Sequence, residues 1–248
     1  IRLALITLKG EMGYPSVLTA KTWGFYDVSF KGKPFELERA FKSYVMENVL
    51  FKISFPAEFH AQTAVECAVK LHPFVATRLD EVKEIVIHTH ESAIRIIDKK
   101  GPLHNPADRD HCLQYMAAIG LIFGNLQAHH YEDNVARDSR IDTLREKMRV
   151  IEEPHYSIDY LDPNKRSISN AVQVFFSDGS KTDKIEIEYP IGHRLRRAEG
   201  IPKLIEKFTN ALGTVYSPHK TQEILKLCLD KERFEKTAVH DFMKLLAK

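Results

Sequence analysis

The sequence predicts an α+β fold, a small α+β domain flanked by helices that belong to a larger all-helical domain. Three observations carry this. In Glu84 to His90 the residues Ile85, Ile87 and Thr89 alternate with Val86, His88 and His90, which is the period of a strand. Ala171 to Phe176 and Lys184 to Tyr189 alternate too, and Ser177-Asp178-Gly179-Ser180 between them contains the Asp-Gly pair suited to a tight turn with positive φ. Helical periodicity dominates on either side of these strands, without repeats or low-complexity tracts.

Taken in order, Ile1-Arg2-Leu3-Ala4-Leu5-Ile6 has no initiator Met, no signal-peptide layout and no capping residue. It reads as the middle of a helix cut from a longer chain, so the polypeptide is expected to be a fragment. Gly10 to Gly32 is a loop-rich connection, in which Ser16 caps a short helix through Ala20 and Phe25 to Phe30 alternates weakly. Glu36 to Tyr44 is a short helix, Pro56 breaks the chain, and Ala61 to Leu71 is amphipathic, with Val65, Ala68, Val69 and His72 at helical spacing. After the strand, Ile94 to Ile97 forms a short helix or turn. Asp108 or Asp110 caps a core helix from Cys112 to Phe123, which Gly124 closes. Ile141 to Val150 carries the pattern of an exposed helix, and the stretch through Pro154 and Asp162-Pro163 is extended. Helices at Pro202 to Leu212, from Ser217-Pro218 to Leu229, and at Val239 to Leu246 complete the chain.

Composition narrows the function. The 248 residues carry 36 Lys and Arg against 34 Asp and Glu, and a net charge of +2 gives no bulk attraction to nucleic acid or an anionic membrane. The longest apolar run, Met116 to Phe123, is too short to cross a bilayer. Cys67, Cys112 and Cys228 are odd in number and far apart, which points to a reducing compartment, to buried thiols, and away from a disulfide framework or a metal cluster. His88, His90, His129 and His130 lack a carboxylate or thiol to complete a metal set.

Three segments concentrate ionisable residues. Lys99 to His111, including Arg109 and His111, feeds a helix N-terminus, where backbone N–H groups attract a carboxylate; it also reads as a capped, solvated loop. Lys52, Glu58 and His60 interrupt the apolar run from Asn48 to His60. Apolar surroundings shift pKa values toward those acid–base chemistry requires, while a snorkelling lysine and a helix-start Glu are the plainer alternative. Behind a strand end, His193-Arg194-Leu195-Arg196-Arg197 presents arginines suited to clamping carboxylates, meeting a partner subunit or facing solvent.

Gly10 to Leu18, Tyr44-Val45-Met46-Glu47-Asn48, Phe51 to His60, Asn105 to Met116, Tyr131-Glu132-Asp133-Asn134, Glu188 to His193 and Gly200 to Leu204 together closely resemble the MmgE/PrpD family, and the resemblance runs along essentially the whole chain. The family implies a helical domain assembled from the N-terminal half plus C-terminal helices, with an α+β domain inserted. On that pattern residues 1–34 end the helical domain, 35–190 are the small domain, and 191–248 return as its last helices. The missing N-terminal helical domain is an expected partner, because relatives such as cis-aconitate decarboxylase draw several active-site residues from it.

The reaction implied is loss of water from 2-methylcitrate to give 2-methyl-cis-aconitate, in propionate breakdown. The resemblance implies no cofactor, a cytoplasmic enzyme or a mitochondrial-matrix one in a eukaryote, a homodimer, and neither nucleic-acid nor membrane partners. Hydration or decarboxylation of cis-aconitate is the alternative chemistry, and a catalytically silent dimerisation module the alternative class. By match to family motifs, Tyr115 and Lys52 are the expected carboxylate binders or proton donors. His111 is a further catalytic candidate, and Arg109, Arg194 and Arg196 are the substrate-binding ones.

Overall fold

The structure, a computed structural model, describes residues 1–37, 40, 45 and 48–247. The chain divides into two units, Ile1–Glu47 and Asn48–Lys248. In the first, α1 (Arg2–Leu8) buries none of its residues. The second helix, α2 (Phe25–Phe30), replaces the weak alternation read from sequence. Asp27 lies in its first turn, where the helix dipole favours an anion, and Phe25 and Phe30 meet edge-on at 5.4 Å. Ser16 to Ala20 forms turns rather than a helix, the Ser16 carbonyl accepting from Thr19 and Ala20. The helix expected at Glu36 to Tyr44 falls largely outside the described residues.

The second unit holds the core. A 3-10 turn, Phe59–Ala61, leads into α3 (Gln62–Val75), which extends the predicted helix by a turn and ends just beyond Pro73. Strand β1 (Val82–Thr89) runs into α4 (Glu91–Ile97), with His90 as its N-cap. The single turn Pro106–Arg109 precedes α5 (Leu113–Phe123), a helix buried almost all round. Neither Asp108 nor Asp110 caps α5: Cys112 holds that position without a side-chain bond, and Asn105 instead caps the preceding turn by accepting from the Asp108 amide. Gly124 closes α5 at φ +68°, a left-handed conformation that a Cβ would strain.

Two elements depart from the sequence reading. The helix expected through Val150 stops at Glu146 (α6, Ser139–Glu146), and Met148–Glu152 becomes β2. A five-residue edge strand of mixed polarity shows no period by itself and exists because β1 is beside it. The stretch expected to be extended is α7 (Pro154–Leu161), with proline at its first position, where the missing N–H costs nothing. The hairpin is present as β3 (Asn170–Phe176) and β4 (Ile185–Ile187), with Gly179 at φ +87° in the turn. Beyond it come α8 (Arg197–Gly213), α9 (Pro218–Leu229), α10 (Lys231–Lys236), which the sequence reading missed, and α11 (Val239–Leu246).

The sheet order is β2-β1-β3-β4. The β1–β2 pair is parallel, with Ile85 opposite Met148 and Thr89 opposite Glu152; β1–β3 and β3–β4 are antiparallel. Ile85 and Ile87 stand opposite Val174 and Val172, so one face of the sheet is a continuous aliphatic surface. It joins α3 and α5 in one core through Val65, Ala68, Leu71, Met116 and Ile119. Burial of this kind, at about 25 cal/mol per Å² of apolar surface, is the main term holding the layers together. A smaller apolar cluster of Leu212, Ile224 and Leu225 joins α8 to α9.

Candidate functional site

Parallel pairing sends β1 and β2 out of the sheet at the same end, and the helices that follow them meet there. The Glu153 amide donates to the Thr89 carbonyl at 2.8 Å, and the Glu91 amide donates to the Ser157 hydroxyl at 2.9 Å, which ties α7 to the start of α4. The turn before α3 reaches the same end. Its backbone is pinned by Asn170 of β3, whose side-chain amide donates to the His60 carbonyl at 2.8 Å and to the Thr63 hydroxyl at 2.7 Å. Crevices at the carboxyl ends of parallel strands are where open sheets place their ligands.

Four ring or acid groups converge here. Glu58 accepts from the His60 backbone amide at 2.8 Å, and its carboxylate pairs with His60 Nδ1 at 2.8 and 2.9 Å. His60 Nε2 lies 3.1 Å from the Tyr160 hydroxyl on α7. Tyr160 stacks on His90, ring centroids 4.5 Å apart and planes 10° from parallel, and the His60 and His90 rings are 5.1 Å apart. Burial opposes ionisation of Glu58, but the hydrogen bonds and charge of His60 outweigh it and hold its pKa below the usual carboxylate value. His90 is fully buried, its Nδ1 accepts from the Ala93 amide, and its Nε2 has no hydrogen-bond partner. Burial, with the neighbouring His60, pushes its pKa down to about 4, so at neutral pH it is an uncharged ring whose N–H sits on Nε2.

Lys52, exposed, sits above the Phe59 ring with Nζ 5.3 Å from its centre. Its carbonyl accepts from Lys207 Nζ on α8 at 2.5 Å. Beside that contact lies a cleft of about 540 Å³ whose walls include Ser54, Pro56, Gln127, Lys203, Lys207 and Asn210. Two ammonium groups, two amides and a hydroxyl outnumber the single carboxylate, Glu206, around this open cleft, which leaves it net positive and suited to a polycarboxylate.

The other predicted residues lie elsewhere. Tyr115 is 2 % exposed within the core, and its hydroxyl donates to the His130 carbonyl at 2.7 Å; burial pushes its pKa up to about 12. Arg109, also buried, donates to the Tyr131 carbonyl at 2.6 Å and pairs with Asp133 at 2.7 Å. Arg196 uses its full fork of donors on Glu66, Glu199 and the Tyr189 carbonyl. These three brace the fold in this structure and do not face the lysine cleft. His111 is exposed and pairs with Asp110 at 2.6 Å, and Arg194 is exposed and donates to the Asn164 carbonyl. Sequence reasoning singled out Glu58 and His60, set His90 aside, and missed Tyr160, because the segment bearing it read as extended chain. Pro154 after Glu153, at the first position of a helix, was the available signal.

Two thiols engage backbone carbonyls, Cys67 that of Asn170 at 3.6 Å and Cys112 that of Lys99 at 3.3 Å. Burial raises the Cys67 pKa to about 12. Among the described residues no group of three or more His, Cys, Asp and Glu is arranged to hold a metal ion, and no helix is long and apolar enough to cross a membrane.

Comparison with known proteins gives a family match over residues 55–231, to the MmgE/PrpD C-terminal domain. The chain is 56% identical over 248 residues to 2-methylcitrate dehydratase of Salmonella typhimurium, covering 99% of this chain and 51% of that protein. It is 55% identical over 250 residues to 2-methylcitrate dehydratase of Cupriavidus necator, covering 100% of this chain and 52% of the relative. To the mitochondrial 2-methylcitrate dehydratase of Yarrowia lipolytica it is 56% identical over 228 residues, 91% of this chain and 44% of the relative. The chain thus spans about half the length of the curated relatives it matches.

Proposed function

Since the chain belongs to the MmgE/PrpD family, we propose that the protein is a hydro-lyase that dehydrates 2-methylcitrate to 2-methyl-cis-aconitate, in propionate breakdown through the methylcitrate cycle. The observation that carries this is identity above one half, sustained along the chain, to proteins named for that reaction.

Removing water from a tricarboxylate requires a base for the proton beside a carboxylate, an acid for the departing hydroxyl, and cationic donors for three carboxylates. Lys52, Lys203 and Lys207 are the proposed cations on this chain, with Arg194 and His111 as exposed auxiliaries; Tyr115, Arg109 and Arg196 are assigned to the framework. The family's helical domain is proposed to close the other wall of the site, in a homodimer working in the cytoplasm or the mitochondrial matrix. No cofactor is invoked, and the buried, carbonyl-bonded thiols Cys67 and Cys112 support that reading.

The test is the ultraviolet absorbance of the conjugated double bond when the intact protein is given 2-methylcitrate, citrate or cis-aconitate. Product from 2-methylcitrate in clear excess over citrate is expected. Turnover of cis-aconitate without turnover of 2-methylcitrate would replace the dehydratase with a hydratase or decarboxylase.

A further inference from the structure

We propose that Glu58, His60 and Tyr160 form a proton relay, carboxylate to imidazole to phenol, in which Tyr160 is the group that exchanges the proton with the bound hydroxy-acid. The proposal rests on the dehydratase reading and deepens it by naming a catalytic group on this chain.

Both nitrogens of His60 are engaged, Nδ1 by Glu58 at 2.8 Å and Nε2 by the Tyr160 hydroxyl at 3.1 Å. A proton exchanged at His60 Nε2 therefore passes through the phenol oxygen. Tyr160 is half-buried, and its ring is held flat against His90 at 4.5 Å, so the oxygen is aimed rather than swinging freely. Every group in the line is fixed by something else. Glu58 is bonded to the backbone amide of His60, the His60 carbonyl is held by Asn170, and α7 is tied to α4 through Ser157. His90, buried and with its Nδ1 accepting, stays uncharged beside His60, so a positive charge formed on His60 meets no cation on that side and keeps the Glu58 carboxylate on the other.

The proton count closes within the relay. As the phenol oxygen takes the proton from the carbon beside a carboxylate, its own proton passes to His60 Nε2, and the C–H electron pair remains on the substrate. When the C–O bond breaks and its pair leaves with the hydroxyl, the phenol proton goes to that oxygen to form water. Nε2 then returns its proton to the phenol. One proton enters and one leaves, the electron pair left by the C–H bond becomes the new double bond, and no further reactant is needed. This is the arrangement of a nucleophile-activating triad with a phenol at its end.

The test is the Tyr160→Phe variant of the intact protein, which keeps the ring and its stacking and removes one oxygen. The expected result is a kcat lower by about 100-fold or more with KM nearly unchanged, the scale of lost acid–base catalysis. Glu58→Gln should likewise lower kcat with KM nearly unchanged. A Tyr160→Phe enzyme with kcat within about threefold of the unsubstituted protein would overturn the relay at this scale of effect. If the unsubstituted protein makes no product from 2-methylcitrate, the dehydratase reading falls by itself and the relay is judged by nitrogen NMR of the His60 ring, whose Nδ1 and Nε2 report their two hydrogen bonds. An Nε2 resonance displaced by Tyr160→Phe and an Nδ1 resonance displaced by Glu58→Gln support it, and an Nε2 resonance unmoved by Tyr160→Phe overturns it.

Discussion

His90 shows how much one side chain can carry. It ends β1, caps α4 through Nδ1, gives Tyr160 a surface to stack on, and keeps an unpartnered N–H inside the protein. Its proton affinity is lowered on folding, from an ordinary histidine value to about 4. The unfolded chain therefore binds more protons than the native one between roughly pH 6.5 and 4, and stability must fall as pH falls through that window. His88, His130 and His193 are shifted in the same direction, chiefly by burial, and add to the trend. For His193 the charge of Arg194 works in the same sense as burial. Urea unfolding at pH 7 and pH 5 checks this. The midpoint should be lower at pH 5, with a slope approaching about 1.4 kcal/mol per pH unit for each histidine fully titrating. A His90→Gln variant should flatten the dependence while being less stable at pH 7.

At the scale of elements, two glycines of opposite character test how the segments are joined. Gly192 lies where the 48–61 segment passes the strand end: a Cβ there would stand 1.7 Å from the Phe51 carbonyl oxygen, and the Gly192 carbonyl itself accepts from the Phe51 amide. Backbone cannot step aside as a side chain can, so Gly192→Ala should destabilise by about 2–4 kcal/mol, read as a lower urea midpoint. Gly213 ends α8 with open space around it, and Gly213→Ala should stabilise by up to about 1 kcal/mol in the same measurement. Helices whose periodicity or caps are written locally, α3, α5, α9 and α11, were legible in the sequence. Their burial or end signals lie within a dozen residues. By contrast β2 was not, since its partner β1 lies some sixty residues away.

For the chain as a whole, the two units differ in what holds them. In Ile1–Glu47 no residue of α1 or α2 is fully buried, whereas α5 in Asn48–Lys248 is buried over ten of its eleven positions. Amide hydrogen exchange of this polypeptide should therefore be fast across Arg2–Leu8 and Phe25–Phe30. Across Leu113–Phe123 it should be slower by orders of magnitude, approaching the limit set by global unfolding. Equal protection of α1 and α5 would show that contacts other than core burial hold the first unit.

The sequence by itself determined the α+β class, the aliphatic strands, the core helix and the concentration of ionisable residues, Lys52, Glu58 and His60, in an apolar segment, because each is written in residues close along the chain. Only the tertiary structure decided which of those groups come together. Tyr160 stands 100 positions from His60 and Lys207 stands 155 from Lys52, and each pair meets only because segments distant along the chain fold against one another. It also decided that Tyr115, Arg109 and Arg196 are held by the protein's own carbonyls and carboxylates. A residue type announces what chemistry is available, but burial and partners, which are long-range, determine whether its donors are left free for a ligand.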